Sequence, residues 1–309
     1  MGLYDPEFGS GHCNRLQKHP ISEPMISVII PAHNEASVIL RCLKAITLAV
    51  RPGEIELIVV CNGCTDNTAA LARSFDSELN IIVTDIASKS HALNLGNQAA
   101  NGSSRVYVDA DVVVHTEAIR LLASSLESGP ALAVAPRPVF ELQHCSWSVR
   151  AYYQIRSLLP SAQEGIGGSG VYALSAAGRK RLGEFPAVVA DDGYVRIHFK
   201  SNERHTLDSA KSIVFPPRTA KSLILTKSRS HYGSFELAKL YPTLWTNRGE
   251  TNNRCLVRLF RSPRLWLKLI AYGVITVAAK RVARKRMTVG TLSWDRDHTS
   301  RLVAPKAAS

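Results

Sequence analysis

Apolar residues follow two rhythms along the first 140 positions. In residues 25–31, 55–60, 80–84, 106–109 and 131–135 they gather into short runs rich in Val and Ile, as in strands buried on both faces. Between those runs they recur every three or four positions. Val38, Ile39, Cys42, Leu43 and Ile46, for example, share one face of a helix. Asn34 stands where it can cap that helix, with Glu35 in the first turn. Thr65 or Asp66 can cap the next, which carries Ala69, Ala70, Leu71 and Phe75. Residues 88–100 and 116–126 predict two further helices. Strand–helix units at a spacing of about 25 residues predict right-handed βαβ crossovers and an α/β fold, with a mainly parallel, Rossmann-like sheet covered by helices on both faces.

Ligands of such sheets bind beyond the carboxyl ends of the strands. Three polar clusters fall there: residues 31–35, residues 62–66, and Asp109-Ala110-Asp111. Alternate side chains of an extended chain share a face, so Asp109 and Asp111 point the same way. Two hard carboxylates so placed can hold Mg²⁺ or Mn²⁺ and, through it, a diphosphate. An acidic turn after an edge strand is the plainer reading of the pair taken alone.

Beyond Pro138 the rhythm changes. A segment with Trp147, Tyr152 and Tyr153 precedes the glycine-rich loop 165–170, a strand at 171–174 and a helix at 176–182. Asp191-Asp192 forms a second acidic site, followed by a mixed β segment through Phe215. From Pro263 comes an apolar stretch of about 15 residues carrying Trp266 and Lys268, short of the length that spans a bilayer. It leads into Lys280, Arg281, Arg284, Lys285 and Arg286. An interfacial helix on an anionic membrane fits this pattern, and so does a buried closing helix.

Composition narrows the choice. With 45% apolar and 20% charged residues in 309, the chain is globular with a sizeable core. A net charge of +13 calls for an anionic partner. The excess is concentrated late, with 11 Lys or Arg against 2 Asp between residues 255 and 301. The basic residues do not interleave with an aromatic stacking platform, so nucleic acid is not an expected partner. Six scattered cysteines suit a reducing compartment, and Cys61-x-x-Cys64 lacks a second pair for zinc. The first residues have no apolar core of a signal peptide, and Glu7-Phe8-Gly9-Ser10 reads as a cloning remnant. Cytoplasmic placement, peripheral to the plasma membrane, is the expectation.

The motifs taken together resemble family 2 glycosyltransferases. The resemblance rests on residues 27–35 (Ser-Val-Ile-Ile-Pro-Ala-His-Asn-Glu), Asn62-Gly63-Cys64-Thr65-Asp66, Lys89-x-x-Ala92-Leu93-Asn94-x-Gly96, Asp109-x-Asp111 and Asp191-Asp192, in the family's order across residues 25–235. It implies a GT-A fold, a nucleoside-diphosphate sugar donor with a UDP-sugar foremost, Mg²⁺ or Mn²⁺, and inversion at the anomeric carbon. By that likeness Pro31, Ala32, His33, Glu35, Asn62 and Asp66 hold the nucleoside, Lys89 lies near the nucleotide, and Asp109 and Ala110 border the ribose and metal. Asp111 sits on the metal and Asp192 is the general base beside Asp191. The glycine loop, otherwise a flexible connector, borders the acceptor.

The chain departs from the pattern in two places. Cys61 stands where an acidic residue is usual, and Lys227-x-Arg229-Ser230 replaces Arg-x-Arg-Trp, leaving Arg229 to meet the diphosphate. His231 is the candidate third metal ligand, against a purely structural histidine. Three regions result: a tail, 1–24; a GT-A domain, 25–235; and a helical, basic segment, 236–309. The acceptor expected is a saccharide or a lipid-linked one, in cell-surface or exopolysaccharide synthesis. A sugar nucleotidyltransferase is the alternative enzyme, but residues 31–35 are not the glycine-rich phosphate loop it needs. A basic, non-catalytic nucleotide- or nucleic-acid-binding protein is the alternative outside enzymes.

Overall fold

The computed structural model describes residues 25–77, 79–249, 252–289, 299 and 301; the expected tail 1–24 lies outside them. Eight strands, β1 (Ile26–Ala32), β2 (Ile55–Asn62), β3 (Asn80–Thr84), β4 (Ser104–Val108), β5 (Val113–Val114), β6 (Ala133–Phe140), β7 (Val171–Leu174) and β8 (Arg204–Val214), form one sheet in the order β3-β2-β1-β4-β7-β6-β8-β5. The first four are parallel, as the strand–helix rhythm predicts. Beyond β4 the sheet is mixed. β7 lies antiparallel to both β4 and β6, so the fifth predicted strand does not adjoin the fourth.

The helices are α1 (Ile39–Thr47), α2 (Thr68–Phe75), α3 (Lys89–Ala99), α4 (Thr116–Ser128), α5 (Trp147–Arg156), α6 (Pro160–Gln163), α7 (Ala176–Leu182), α8 (Asp191–His198), α9 (Ala220–Leu240), α10 (Asn253–Leu259) and α11 (Trp266–Val289). Alternation along β1 sorts the core. Val28 and Ile30 face the layer of α1 and α4, while Ile29 faces that of α3, α7 and α8. Gly96 lets α3 approach closely, since a Cβ there would fall 2.4 Å from Ile29 Cγ2. Truncating the fully buried Ile29 to Ala would cost about 2–5 kcal/mol.

The capping expectation for α1 needs correction. That helix starts at Ile39, and Asn34 sits in the left-handed region at φ 52°, a conformation Asn tolerates. Its Oδ1 instead accepts from the backbone N–H groups of Thr65 (2.6 Å) and Asp66 (3.3 Å), tying the loop after β1 to the loop after β2. Asp66 does reach α2, accepting from the Thr68 N–H at 3.0 Å.

At the other end α9 runs unbroken through residues 235 and 236, and α11 packs on α9 and α5. Leu269, Ile275, Ala279 and Ala283 are buried there, and Tyr272 stacks on Tyr152 at 5.0 Å. The opposite face leaves Leu267, Ile270 and Val274 at 69%, 60% and 62% exposure, with Trp266 and Val277 beside them. One face of α11 thus closes the fold, and its other face is apolar and exposed. No helix among the described residues is long and apolar enough to cross a membrane.

Candidate active site

The carboxyl ends of β1, β2 and β4 open onto a crevice of about 240 Å³, closed on the far side by the loop before β7, the start of α8, and α5 and α9. Pro31, His33, Glu35 and Asn62 line it. Lys89, Asp109, Ala110 and Asp111 line it as well, together with Tyr153, Arg156, Gly168, Gly170, Asp192, Lys227 and Arg229. Of the residues assigned to the donor by resemblance, Ala32 is fully buried and Asp66 is an exposed loop residue; neither lines the crevice. Asp66 holds the loops instead, accepting from the Ala36 N–H at 3.2 Å. Asn62 is a scaffold as well as a wall: its Nδ2 donates to the Ala32 carbonyl at 3.0 Å, and its own carbonyl pairs with His33 Nδ1.

Antiparallel β7 brings the glycine loop to the aspartates, because its first residue lies beside the last of β4. The Asp109 N–H donates to the Gly170 carbonyl at 2.8 Å. Gly170 has φ +66°, and a Cβ would fall 2.4 Å from Val112 Cγ2, so a glycine is required on both counts. Gly165 sits under Pro136 and Thr206 rather than on the crevice.

Lys89 joins the two acidic motifs. Its ammonium lies 2.6 Å from Asp109 and 2.9 Å from Asp191. A cation at a helix N-terminus opposes the helix dipole, so Lys89 is there for the carboxylates and not for α3. Burial works against its charge, but Asp109, Asp191 and Asp192 more than offset that and raise its pKa. Asp109 is itself pushed up to about 6 by burial, with Lys89 opposing the push and Asp191 and Asp111 adding to it.

The structure places Asp191 and Asp192 differently. Asp191 is 4% exposed and accepts from the Tyr172 hydroxyl at 3.1 Å, facing inward. Asp192 lines the crevice, and burial followed by Asp191 raises its pKa. A carboxylate made more basic, open to a cleft and steadied by the Gly193 N–H at 2.7 Å, can take a proton from a hydroxyl.

Asp109 and Asp111 also suit a divalent ion of the Mg²⁺ kind, which binds through one or two carboxylates together with substrate phosphates and water. The site already collects cations on these groups, with Lys89 on Asp109 and Arg301 on Asp111 at 3.1 Å. His231 is not brought to them. Among the described residues no three of His, Cys, Asp and Glu converge on one metal position. His231 stacks on Phe235 and is pushed down to about 4 by burial and then by Lys280, Lys227 and Arg156, all of which would repel a metal ion. Cys61 is buried and Cys64 half-buried, both as free thiols.

Several lining residues escaped the sequence reading, Tyr153, Arg156 and Arg301 among them. Tyr153 and Arg156 come from α5, and Arg156 Nε is buried without a hydrogen-bond partner. Arg301 arrives from 190 residues beyond Asp111. No periodicity or motif marks them.

Residues 27–177 match the family model described as glycosyl transferase family 2. Glycosyltransferase AglE of Haloferax volcanii is 36% identical over 99 residues, covering 30% of this chain and 33% of that protein. Probable glycosyltransferase YdaM of Bacillus subtilis is 34% identical over 111 residues, 33% of this chain and 26% of its own length. The matched segments thus span about a third or less of these relatives. Among solved structures, the mannosyltransferase PcManGT of Pyrobaculum calidifontis, in complex with GDP-Man and Mn²⁺, superposes with a TM-score of 0.54 at 20% identity, over 88% of this chain and 78% of that one. Glucosyl-3-phosphoglycerate synthase of Mycobacterium tuberculosis, with Mn²⁺, UDP-Glc and phosphoglyceric acid, gives 0.52 at 22% identity, over 70% and 79%. At these identities the likeness is one of fold, and that fold is GT-A.

Proposed function

Because the chain belongs to family 2 of the glycosyltransferases, we propose that it moves a sugar, with inversion, from a nucleoside-diphosphate sugar to an acceptor hydroxyl. The observation that carries this reading is the gathering of Asp109, Asp111 and Asp192 on one crevice, with Lys89 bridging Asp109 to Asp191, the neighbour of Asp192. His33, Glu35 and Asn62 form the nucleoside end. Asp109 and Asp111 would hold Mg²⁺ or Mn²⁺, which when bound neutralises charge on the leaving diphosphate. Arg229, Lys227 and Arg156 add positive charge to the same wall. Asp192 takes the proton of the attacking hydroxyl, and Asp191 keeps Lys89 and the base in place. A uridine donor is the first choice, and the solved structures of similar fold, bound to GDP-Man or UDP-Glc, make guanosine the second.

The acceptor we propose is a saccharide or lipid-linked saccharide of cell-surface or exopolysaccharide synthesis, reached at the cytoplasmic face of the plasma membrane. What supports this is α11. Its exposed stripe of Trp266, Leu267, Ile270 and Val274 belongs to a stretch, residues 252–289, with ten Lys or Arg and no acid. Apolar side chains rimmed by cations suit an anionic bilayer surface. The same helix packs on α5 and α9, which line the crevice.

A thermal-shift panel of UDP- and GDP-sugars, with and without Mn²⁺, tests the donor. One donor should stabilise strongly and only with the metal; no stabilisation by any nucleotide sugar would overturn the reading.

A further inference from the structure

The crevice contains a cation that none of the active-site motifs supplies. Arg301 Nε and Nη2 donate to the two carboxylate oxygens of Glu35, each at 2.8 Å, and Nη2 also donates to Asp111 Oδ2 at 3.1 Å. The planar guanidinium fork matches a carboxylate in this two-point manner. Its side chain is 15% exposed, so the contact is largely shielded from water. The neighbouring cations are committed elsewhere. Lys89 holds Asp109 and Asp191, and Arg41 donates to the backbone carbonyl of Asp111 at 2.9 Å while lying over the Phe215 ring. Among the described residues, Arg301 is therefore the cation on the Asp111 carboxylate.

We propose that Arg301 is a tethered counter-cation of Asp111, engaged while the divalent ion is absent and displaced from that carboxylate when the ion binds. The proposal rests on the metal role given to Asp111 above. A hard cation needs the oxygen lone pairs that the Arg301 N–H occupies, so the two compete for one group. Glu35 makes the exchange feasible, because its two-point pair keeps the guanidinium in the crevice after Asp111 is released. The apparent affinity for free metal is then lowered by the fraction of molecules in which Arg301 sits on Asp111. Extra ligands from a donor's phosphates would overcome that competition, which favours loading of metal and donor together over metal alone.

The test is Mn²⁺ binding without donor, read by calorimetry and by the electron paramagnetic resonance signal of free Mn²⁺. Wild type, Arg301→Gln, Arg301→Lys and Arg156→Gln would be compared. Arg156→Gln removes the same charge from the same crevice without touching Asp111. Arg301→Gln should bind Mn²⁺ about tenfold more tightly than wild type. Arg301→Lys should fall between the two, and Arg156→Gln within about twofold of wild type. Equal or weaker binding by Arg301→Gln would overturn the proposal and leave the metal site standing. Equal tightening by Arg156→Gln would overturn it too, by tracing the effect to net charge. Absence of Mn²⁺ binding in every variant, with nucleotide sugar still stabilising the protein, would remove the metal role of Asp111 and this inference with it.

Discussion

Replacing Lys89 by Met should do more damage than the loss of one half-buried lysine suggests. The variant keeps a side chain of similar length but removes the ammonium that bridges Asp109 and Asp191. The contact with Asp109, whose side chain is 37% exposed, is screened by solvent and counts for about 0–1 kcal/mol. The contact with Asp191, 5% exposed, is different, because breaking a buried pair strands the remaining charge and costs about 3–5 kcal/mol. A loss of about 3–5 kcal/mol at pH 8 is expected, measured by urea unfolding followed through tryptophan fluorescence. The pH dependence gives a second check. Asp109 and Asp192 are already held above the ordinary carboxylate range, by burial first, and without Lys89 both move higher. A folded state whose carboxylates bind protons more readily than the unfolded chain gains stability as pH falls. The raised pKa of Lys89 in the wild type contributes stability fully present below the lysine's unfolded value, hence constant from pH 8 to 5.5. The gap between variant and wild type should therefore narrow over that window. A loss under about 1 kcal/mol at pH 8, or a gap independent of pH, would refute the reasoning.

Three further outcomes are expected. Asp192→Asn should lower kcat by about 10²–10⁴ while leaving the thermal shift given by the donor unchanged; a loss under about tenfold would remove Asp192 as the base. Burial and then Arg156 push the Lys227 pKa down to about 7, so a bound diphosphate should raise it again and draw close to one proton from solution at pH 8. Calorimetry in two buffers of different ionisation enthalpy measures that uptake, and Lys227→Met should abolish it. The pair Leu267→Glu and Ile270→Glu should weaken binding to phosphatidylserine vesicles about tenfold or more, and wild-type binding should fall with salt. Unchanged sedimentation with vesicles would end the membrane proposal.

The parts of this molecule legible in its sequence are those whose contacts are local. The parallel units β1 to β4 announce themselves because each strand and its covering helix carry their own period. Asp109 and Asp111 do follow the carboxyl end of β4, but in a turn closed by the Val112 N–H on the Asp109 carbonyl at 3.1 Å, where an extended strand was expected. What was hidden depends on the path of the chain in space. Asn34 looked like a cap for the helix after it, but the left-handed turn aims its side chain at Thr65 and Asp66. Asp191 and Asp192 look interchangeable in sequence; only the packing of α8 turns one toward Tyr172 and the other toward the crevice. His231 fitted a metal by residue type; of the cations around it Lys227 is a neighbour on α9, while Lys280 and Arg156 come from α11 and α5, far off along the chain. Arg301 is the extreme case, since one arginine among 38 Lys and Arg carries no mark of its destination.

The antiparallel insertion of β7 has a consequence for how the protein is made. The chain emerges from the ribosome amino end first, and domains begin to assemble during synthesis. β4 then acquires β1 on one side while its other edge stays open, a row of unpaired backbone groups on a strand carrying Val106 and Val108. After the two-residue β5, β6 is finished at residue 140, and neither is the proper neighbour; β7, starting at residue 171, is. Between those two moments β4 can be met by the wrong strand or by another nascent chain. Seating β7 is thus a late, non-local step of the kind that slows folding. It is the step at which slower translation or lower temperature during expression would raise the yield of soluble protein, and a fragment ending before residue 171 would keep that edge open permanently.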